Sequence, residues 1–147
     1  MLARVLTGLG AALEEAGQFD RAAAALDDAQ RVAAVAGDDS LAAHVRVQQL
    51  FLGLQVDTQR ATAAVGSALP QLLRVFERHA DQLGLCLAWR LRAAVHWLHA
   101  SSAAAEEAWQ RAAVHARRAG DQRQLTEILG WLASAALWGP TPAPEGI

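Results

Sequence analysis

Apolar residues recur at helical spacing from Leu6 to Ala34, and a short turn divides this stretch into two halves. Residues three or four positions apart share one face of an α-helix, so each half predicts a helix with one apolar stripe. Small residues in both stripes would let the helices approach closely. The pattern predicts two antiparallel helices built on Leu6, Leu9, Gly10 and Leu13, on a turn at Gly17 and Phe19, and on Ala22, Leu26 and Ala29.

The pattern continues along the chain as about seven helices, so the sequence predicts an all-α fold in one helical-repeat array. Helix-ending signals follow residues 36, 80 and 119, with a period of roughly 40 residues. They divide the 147 residues into repeats 1–37, 38–80 and 81–120 and a half-repeat 121–147. After the first helix, the predicted helices cover residues 21–36, 41–56, 58–80, 82–100, 102–119 and 122–138.

Several positions predict local detail within these helices. Asp20 is expected to cap the helix that starts at Arg21, because an Asp side chain can accept hydrogen bonds from the first free backbone amides. A turn is expected over residues 55–60. Gly53 predicts a close approach by a neighbouring helix, and Pro70 predicts a kink or a restart because proline removes a backbone donor.

The paired stripes resemble the tetratricopeptide repeat, and the first pair follows that family's order of large and small residues with size-conserving exchanges. Ala105, Trp109 and Ala112 repeat the same Ala, large residue, Ala signature. In this alignment Trp89 takes the leading Trp position, whereas Arg92 stands where the family has Leu. The resemblance implies a right-handed α-solenoid of antiparallel helix pairs, in which the first helix of each pair lines a concave groove.

The last 60 or so residues are also similar to the C-terminal helical arrays of large actinobacterial regulators, which carry adenylate/guanylate cyclase and ATPase domains. This resemblance implies a regulatory array that contacts other domains of its parent chain. The chain has no Lys for a Walker-type loop, so it would supply only the scaffold. An uncapped start and a proline-rich end predict a fragment. The similar runs include Ala88-Trp89-Arg90-Leu91, Val95-His96-Trp97, His115-Ala116-Arg117-Arg118-Ala119-Gly120-Asp121 and Gly139-Pro140-Thr141-Pro142.

Composition narrows the classes of partner and compartment. Hydrophobic residues make up 53% of the chain and charged residues 19%, which excludes a disordered chain. The net charge of −2 argues against nucleic acid as a partner. A single cysteine and the lack of a signal peptide at the start predict a reducing cytoplasm. The uncharged run from Ile128 to Trp138 is too short to span a bilayer and predicts a buried helix, so no membrane partner is expected.

The sequence predicts no catalytic, cofactor-binding or metal-binding residue. His96 and His99 share a helix face and His115 lies on the partner helix, but no carboxylate or thiolate stands at ligand spacing with them. Cys86 lies between leucines, which would raise its thiol pKa and leave it inert. The adjacent glutamates at 14–15 and 106–107 point about 100° apart on a helix, so they predict solvated faces rather than paired acids and bases.

Tryptophan and arginine provide the functional prediction, because both are enriched at binding hot spots. Trp89 and Trp109 fall on predicted core positions. Trp97 and Trp131 have two interpretations, exposure in the groove or burial against a neighbouring repeat. The candidate concave-face partner contacts are Arg4, Glu14, Glu15, Arg90, Trp97 and Trp131.

The leading hypothesis from these observations is a non-enzymatic scaffold that binds protein or peptide. The alternative is a ligand-sensing module, in which a small molecule or peptide in the groove changes the curvature of the array and regulates an attached ATPase or nucleotide cyclase. A third hypothesis, a helical enzyme, would require turnover that is lost in a His96→Ala variant.

Overall fold

The computed structural model describes residues 18–138, and within this range every regular element is a helix. The predicted all-α fold is therefore confirmed. The predicted helix before residue 17 lies outside the described residues. Helices α1 to α6 span Phe19–Ala36, Asp39–Val56, Thr58–Arg78, Gln82–Leu98, Ser102–Ala119 and Gln122–Trp138.

The helices pack in chain order, each against the next, and α2 also contacts α4. Helix α2 is apolar on two sides because it separates two cores. On one side it packs against Ala22, Leu26 and Ala29 of α1, and on the other against α3 and α4. The side that meets α1 carries Leu41, Val45 and Leu52, and the side that meets α3 carries Val47, Leu50 and Leu54.

A third core joins α4, α5 and α6. Buried alanines dominate α5, and small side chains let α4 and α5 pack closely along their length. Trp109 of α5 and Ile128 of α6 fill the remaining space, each 3% exposed or less. Residues 18–138 thus form three successive cores along the chain, and each core joins neighbouring helices.

The predicted helix-ending signals are confirmed. Gly37 and Gly120 end α1 and α5 in the left-handed conformation, at φ values of 65° and 69°. The carboxylates that follow cap the next helices: those of Asp38, Asp81 and Asp121 accept hydrogen bonds from the backbone N–H groups of Leu41, Gly84 and Gln124. Between α3 and α4, Ala80 adopts φ 50° where the ends of α1 and α5 have glycine.

Two local predictions were wrong, and the restart that was one of the two alternatives at Pro70 does not occur. Helix α1 begins at Phe19 after Gln18, so Asp20 lies in the first turn instead of capping it. The turn expected over residues 55–60 shrinks to Asp57, whose side chain caps α3 through Arg60 N–H. Helix α3 continues through Pro70 without a restart. Pro70 and Gly66, whose carbonyl it leaves without a donor, are both exposed, so water can satisfy that carbonyl.

Two glycines mark close helix contacts. A Cβ added to Gly53 would lie 3.1 Å from Cβ of Ala61, which confirms the predicted approach of α3 to α2. A Cβ added to Gly84 would lie 2.2 Å from Cδ1 of Phe76, a fully buried ring of α3. Residue 84 therefore has no room for a side chain.

Helix α6 is buried on one face only, so the buried helix predicted for residues 128–138 was wrong for its outer side. Ile128 and Ala135 are buried against α5, whereas Leu129 and Leu137 are 47% and 72% exposed. In the described part of the chain no helix combines the length and apolarity that crossing a bilayer requires.

Candidate binding groove

The structure brings three of the predicted contact residues into one place. Arg90, Trp97 and Trp131 line a single open cavity of about 330 Å³. The other three, Arg4, Glu14 and Glu15, lie outside the described residues. We call this cavity the aromatic groove; it is lined by Phe51, Leu54, Gln55, Arg90, Ala94, Trp97, Leu98, Trp109 and Trp131.

Every second helix contributes to the groove. Helices α2, α4 and α6 supply most of the lining, and α5 adds Trp109. The contact between α2 and α4 lets their side chains share one surface. The groove therefore lies on the side of the protein where α2, α4 and α6 meet.

Three tryptophans from three helices form a cluster at the end of the groove. The rings of Trp109 and Trp131 stack with centroids 5.5 Å apart and planes 11° apart. Trp97 meets both rings at steep angles, with its centroid 5.7 Å from that of Trp109 and 6.4 Å from that of Trp131. Offset stacks and edge contacts in this distance range are favourable, so each ring fixes the others.

The tryptophans differ in how much of each side chain is exposed to solvent. Trp109 is 3% exposed, which confirms its predicted core position. Trp97 is half-buried and Trp131 is 41% exposed, so the burial alternative was wrong for Trp131. Trp89, also predicted to be core, is half-buried and packs against the third core from its edge. Trp131 thus presents an aromatic surface to solvent on a rigid support.

Arg90 is held in place by α6. Its Nη1 donates to Oε1 of Gln124 at 2.5 Å and to Oε2 of Glu127 at 3.0 Å, and its side chain is 15% exposed. Glu127 also pairs with Arg123 at 3.4 Å. Since the charge of Arg90 is matched within the protein, the groove offers mainly apolar surface, with few polar groups to set orientation.

Sequence reasoning missed the contribution of α2 to the groove, which consists of Phe51, Leu54 and Gln55. A usable signal was present: Leu54 precedes Trp97 by the same interval that separates the helix caps Asp38 and Asp81. Shifting Ala94, Trp97 and Leu98 of α4 by that interval gives Phe51, Leu54 and Gln55 of α2. The aromatic residue of α2 is Phe51, which corresponds to Ala94 of α4, whereas Trp97 of α4 corresponds to Leu54. A search for a tryptophan repeated at the same position therefore does not identify the α2 residues.

Neither Cys86 nor His115 lines the groove, and burial shifts the pKa of both side chains. Cys86 is fully buried, and burial raises the pKa of its thiol to about 11, although the nearby charge of Arg90 acts in the opposite direction. Burial and the charge of Arg118 lower the pKa of His115, whose Nδ1 lies 2.8 Å from Oε1 of Gln82. No group of three or more His, Cys, Asp or Glu side chains within residues 18–138 is arranged to hold a metal ion.

Comparisons with protein-family models, with curated proteins and with solved structures find no match to this chain. The resemblance to tetratricopeptide arrays therefore rests on the sequence motifs quoted above.

Proposed function

We propose that this chain is a non-enzymatic scaffold that binds a protein or peptide segment in the aromatic groove. The observation that supports the proposal is the lining of one open groove by α2, α4 and α6, with aromatic rings from each. In a tetratricopeptide-like α-solenoid, these first helices form the concave surface. Large aromatic side chains on a rigid support bury much apolar area at low cost in conformational entropy, which is typical of binding hot spots.

The wider context belongs to the same proposal. The chain is the regulatory helical-repeat part of a larger bacterial signalling protein, and its partners include other domains of that protein. The single, buried Cys86 supports a location in the reducing cytoplasm. The charge balance of the groove, with Arg90 matched by Glu127, supports an apolar protein segment as partner in preference to nucleic acid or an anionic membrane surface.

The experiment is a peptide-display selection on the protein, followed by affinity measurements with the selected peptides. Trp131→Ala removes an exposed groove ring, and Leu129→Ala removes an exposed residue of the same helix that does not line the groove. We expect the peptides to bind the Leu129→Ala variant as tightly as wild type and the Trp131→Ala variant at least about tenfold more weakly. Equal binding to all three proteins would reject the groove as the binding surface.

A ligand-sensing module is the second candidate function. The volume of about 330 Å³ lies within the range of small-molecule sites, and three tryptophans would report an occupant. A change in tryptophan emission upon addition of a metabolite, without a protein partner, would favour this function. If emission responds only to peptides, the scaffold function is favoured.

A further inference from the structure

A second cavity lies on a different face of α4 from the aromatic groove. It encloses about 220 Å³ between α4 and α5, and it shares no lining residue with the groove. We call it the arginine–tryptophan cavity. It is lined by Trp89, Arg92 and His96 of α4 and by Ala104, Glu107, Ala108 and Arg111 of α5.

Two arginines make cation–π contacts with one indole ring in this cavity. The central guanidinium carbons of Arg92 and Arg111 each lie 5.0 Å from the ring centroid of Trp89. A cation–π contact of this kind leaves the N–H donors of a guanidinium group available for hydrogen bonds. The indole therefore fixes two positive charges, with their donors, around the same space.

Little negative charge offsets these arginines. Arg111 meets Glu107 at 3.4 Å, and both side chains are more than half exposed, so the pair is weak. For Arg92 the described residues supply the indole contact, but neither a carboxylate nor a hydrogen-bond acceptor. The guanidinium donors of Arg92 are therefore available to an anion in the cavity.

Arg92 is also the residue at which the sequence departs from the tetratricopeptide pattern. In the tetratricopeptide alignment Arg92 stands where the family has Leu, so packing of the helix pair does not require a charge at this position. A leucine would fill the site between the helices without a cation. Arginine at this position places a charged hydrogen-bond donor in the lining of the arginine–tryptophan cavity.

We propose that the arginine–tryptophan cavity binds the phosphate group of a small phosphorylated molecule. A phosphate monoester carries nearly two negative charges at neutral pH and accepts paired hydrogen bonds from the guanidinium fork. Arg92 and Arg111 donate to its oxygens, and the ring of His96 lines the same space. The cavity is several times larger than the ~30 Å³ that a water molecule occupies, so a short carbon body fits beside the phosphate.

The test is isothermal titration calorimetry of the full chain at constant pH and ionic strength. The probes are inorganic phosphate, glycerol phosphate, acetate and glycerol. We expect saturable binding of the two phosphates at one site. Arg92→Leu, which introduces the family's own residue, should weaken this binding at least about tenfold. Arg117→Leu removes the same charge from an exposed position on α5 outside the cavity, and it should leave binding within about twofold of wild type.

A second variant acts in the opposite direction. Glu107→Gln removes the carboxylate that competes for Arg111, so it should tighten phosphate binding, whether or not the Arg92→Leu variant folds. Tighter binding of glycerol phosphate than of inorganic phosphate would assign a phosphate ester as ligand, and equal binding would assign free phosphate. The proposal is overturned if neither phosphate saturates, if acetate binds equally well, if Arg117→Leu weakens binding as much as Arg92→Leu, or if Glu107→Gln has no effect.

Discussion

Two of the boundaries between helix pairs, the first between α3 and α4 and the second between α5 and α6, are built from the same parts but differ in burial. At the first boundary, between α3 and α4, the carboxylate of Asp81 caps α4, lies 2.5 Å from Nε2 of His44 and accepts from Ser40 at 3.3 Å. At the second, between α5 and α6, Asp121 caps α6 through Gln124 N–H. The contact that joins α4 to α6, as His44 and Asp81 join α2 to α4, is the ion pair between Arg90 and Glu127.

The contacts His44–Asp81 and Arg90–Glu127 differ in how far they are buried. The side chains of His44 and Asp81 are 16% and 19% exposed, and the His44 ring packs 5.0 Å from the ring of Phe76. The carboxylate partner of Arg90 is 41% exposed and lies beside the aromatic groove. The first boundary should therefore contribute mainly to stability, and the second mainly to the shape of the groove.

The largest expected effect is that of Gly84→Ala at the first boundary. The added Cβ would overlap the buried ring of Phe76, and overpacking of this kind costs about 1–3 kcal/mol or more. Urea unfolding should show a lower midpoint. The matched control is Gly130→Ala in α6, where a Cβ meets open space and alanine should stabilise the helix by up to about 1 kcal/mol. Equal effects of the two changes would contradict the close contact.

Loss of the Asp81 carboxylate should be the next largest effect. Burial alone would raise the pKa of Asp81, but hydrogen bonds from Gly84 N–H and His44 outweigh it and hold the pKa below its ordinary value of 3.8. A carboxyl group with a lowered folded-state pKa stabilises the protein above its unfolded pKa, and this contribution is lost as the pH falls through the folded value. Stability should therefore fall below about pH 4.

The variants Asp81→Asn and Asp121→Asn separate the two boundaries. Asparagine can still cap a helix, so Asp121→Asn should cost a few tenths of a kcal/mol, whereas Asp81→Asn should cost about 1–2 kcal/mol because it loses the charged contact with His44. The measurement is the free energy of unfolding between pH 3 and pH 7 by urea titration. The acid-induced loss should be smaller in Asp81→Asn than in wild type. An unchanged profile would show that His44 and Asp81 are not coupled.

The sequence predicted the helices best where caps and glycine agreed. Residues 119–122 combine a helix end, a left-handed glycine and a capping Asp, so α5 and α6 have the predicted bounds. Around Asp57 one residue serves as both the end of α2 and the cap of α3, which leaves no turn-like stretch to recognise. The error at Asp20 has a similar cause, because an acidic residue is equally favourable as a cap and within the first turn.

The candidate site was predicted in part. Arg90, Trp97 and Trp131 were selected from the alignment of first helices, and they do share one cavity. The hydrogen bonds from Arg90 to Gln124 and Glu127 could not be predicted, because they join residues that are distant in the chain and leave no local sequence pattern. The same holds for the cation–π contacts of the arginines with Trp89, which depend on how α5 lies against α4.

A glycine at the first boundary should have a smaller, stabilising effect. Ala80 adopts a left-handed conformation at φ 50°, which costs a residue with a Cβ about 1 kcal/mol, and the second boundary has Gly120 at the matching position. Ala80→Gly should therefore stabilise the protein by about 0.5–1 kcal/mol after allowing for the greater flexibility of unfolded glycine. Gly120→Ala should destabilise it by a similar amount. Thermal unfolding of both variants checks these opposite signs.

The smallest effect on stability is expected for Arg90→Gln at the second boundary. The ion pair with Glu127 is partly exposed, and the glutamine can still bond to α6, so the free energy of unfolding should fall by no more than about 0.5 kcal/mol. The groove should respond more clearly, because Trp97 and Trp131 lie beside Arg90, and their emission should shift while the unfolding midpoint barely moves. A loss of stability as large as that of Asp81→Asn, with unchanged emission, would mean that both boundaries are structural and that Arg90 does not shape the groove.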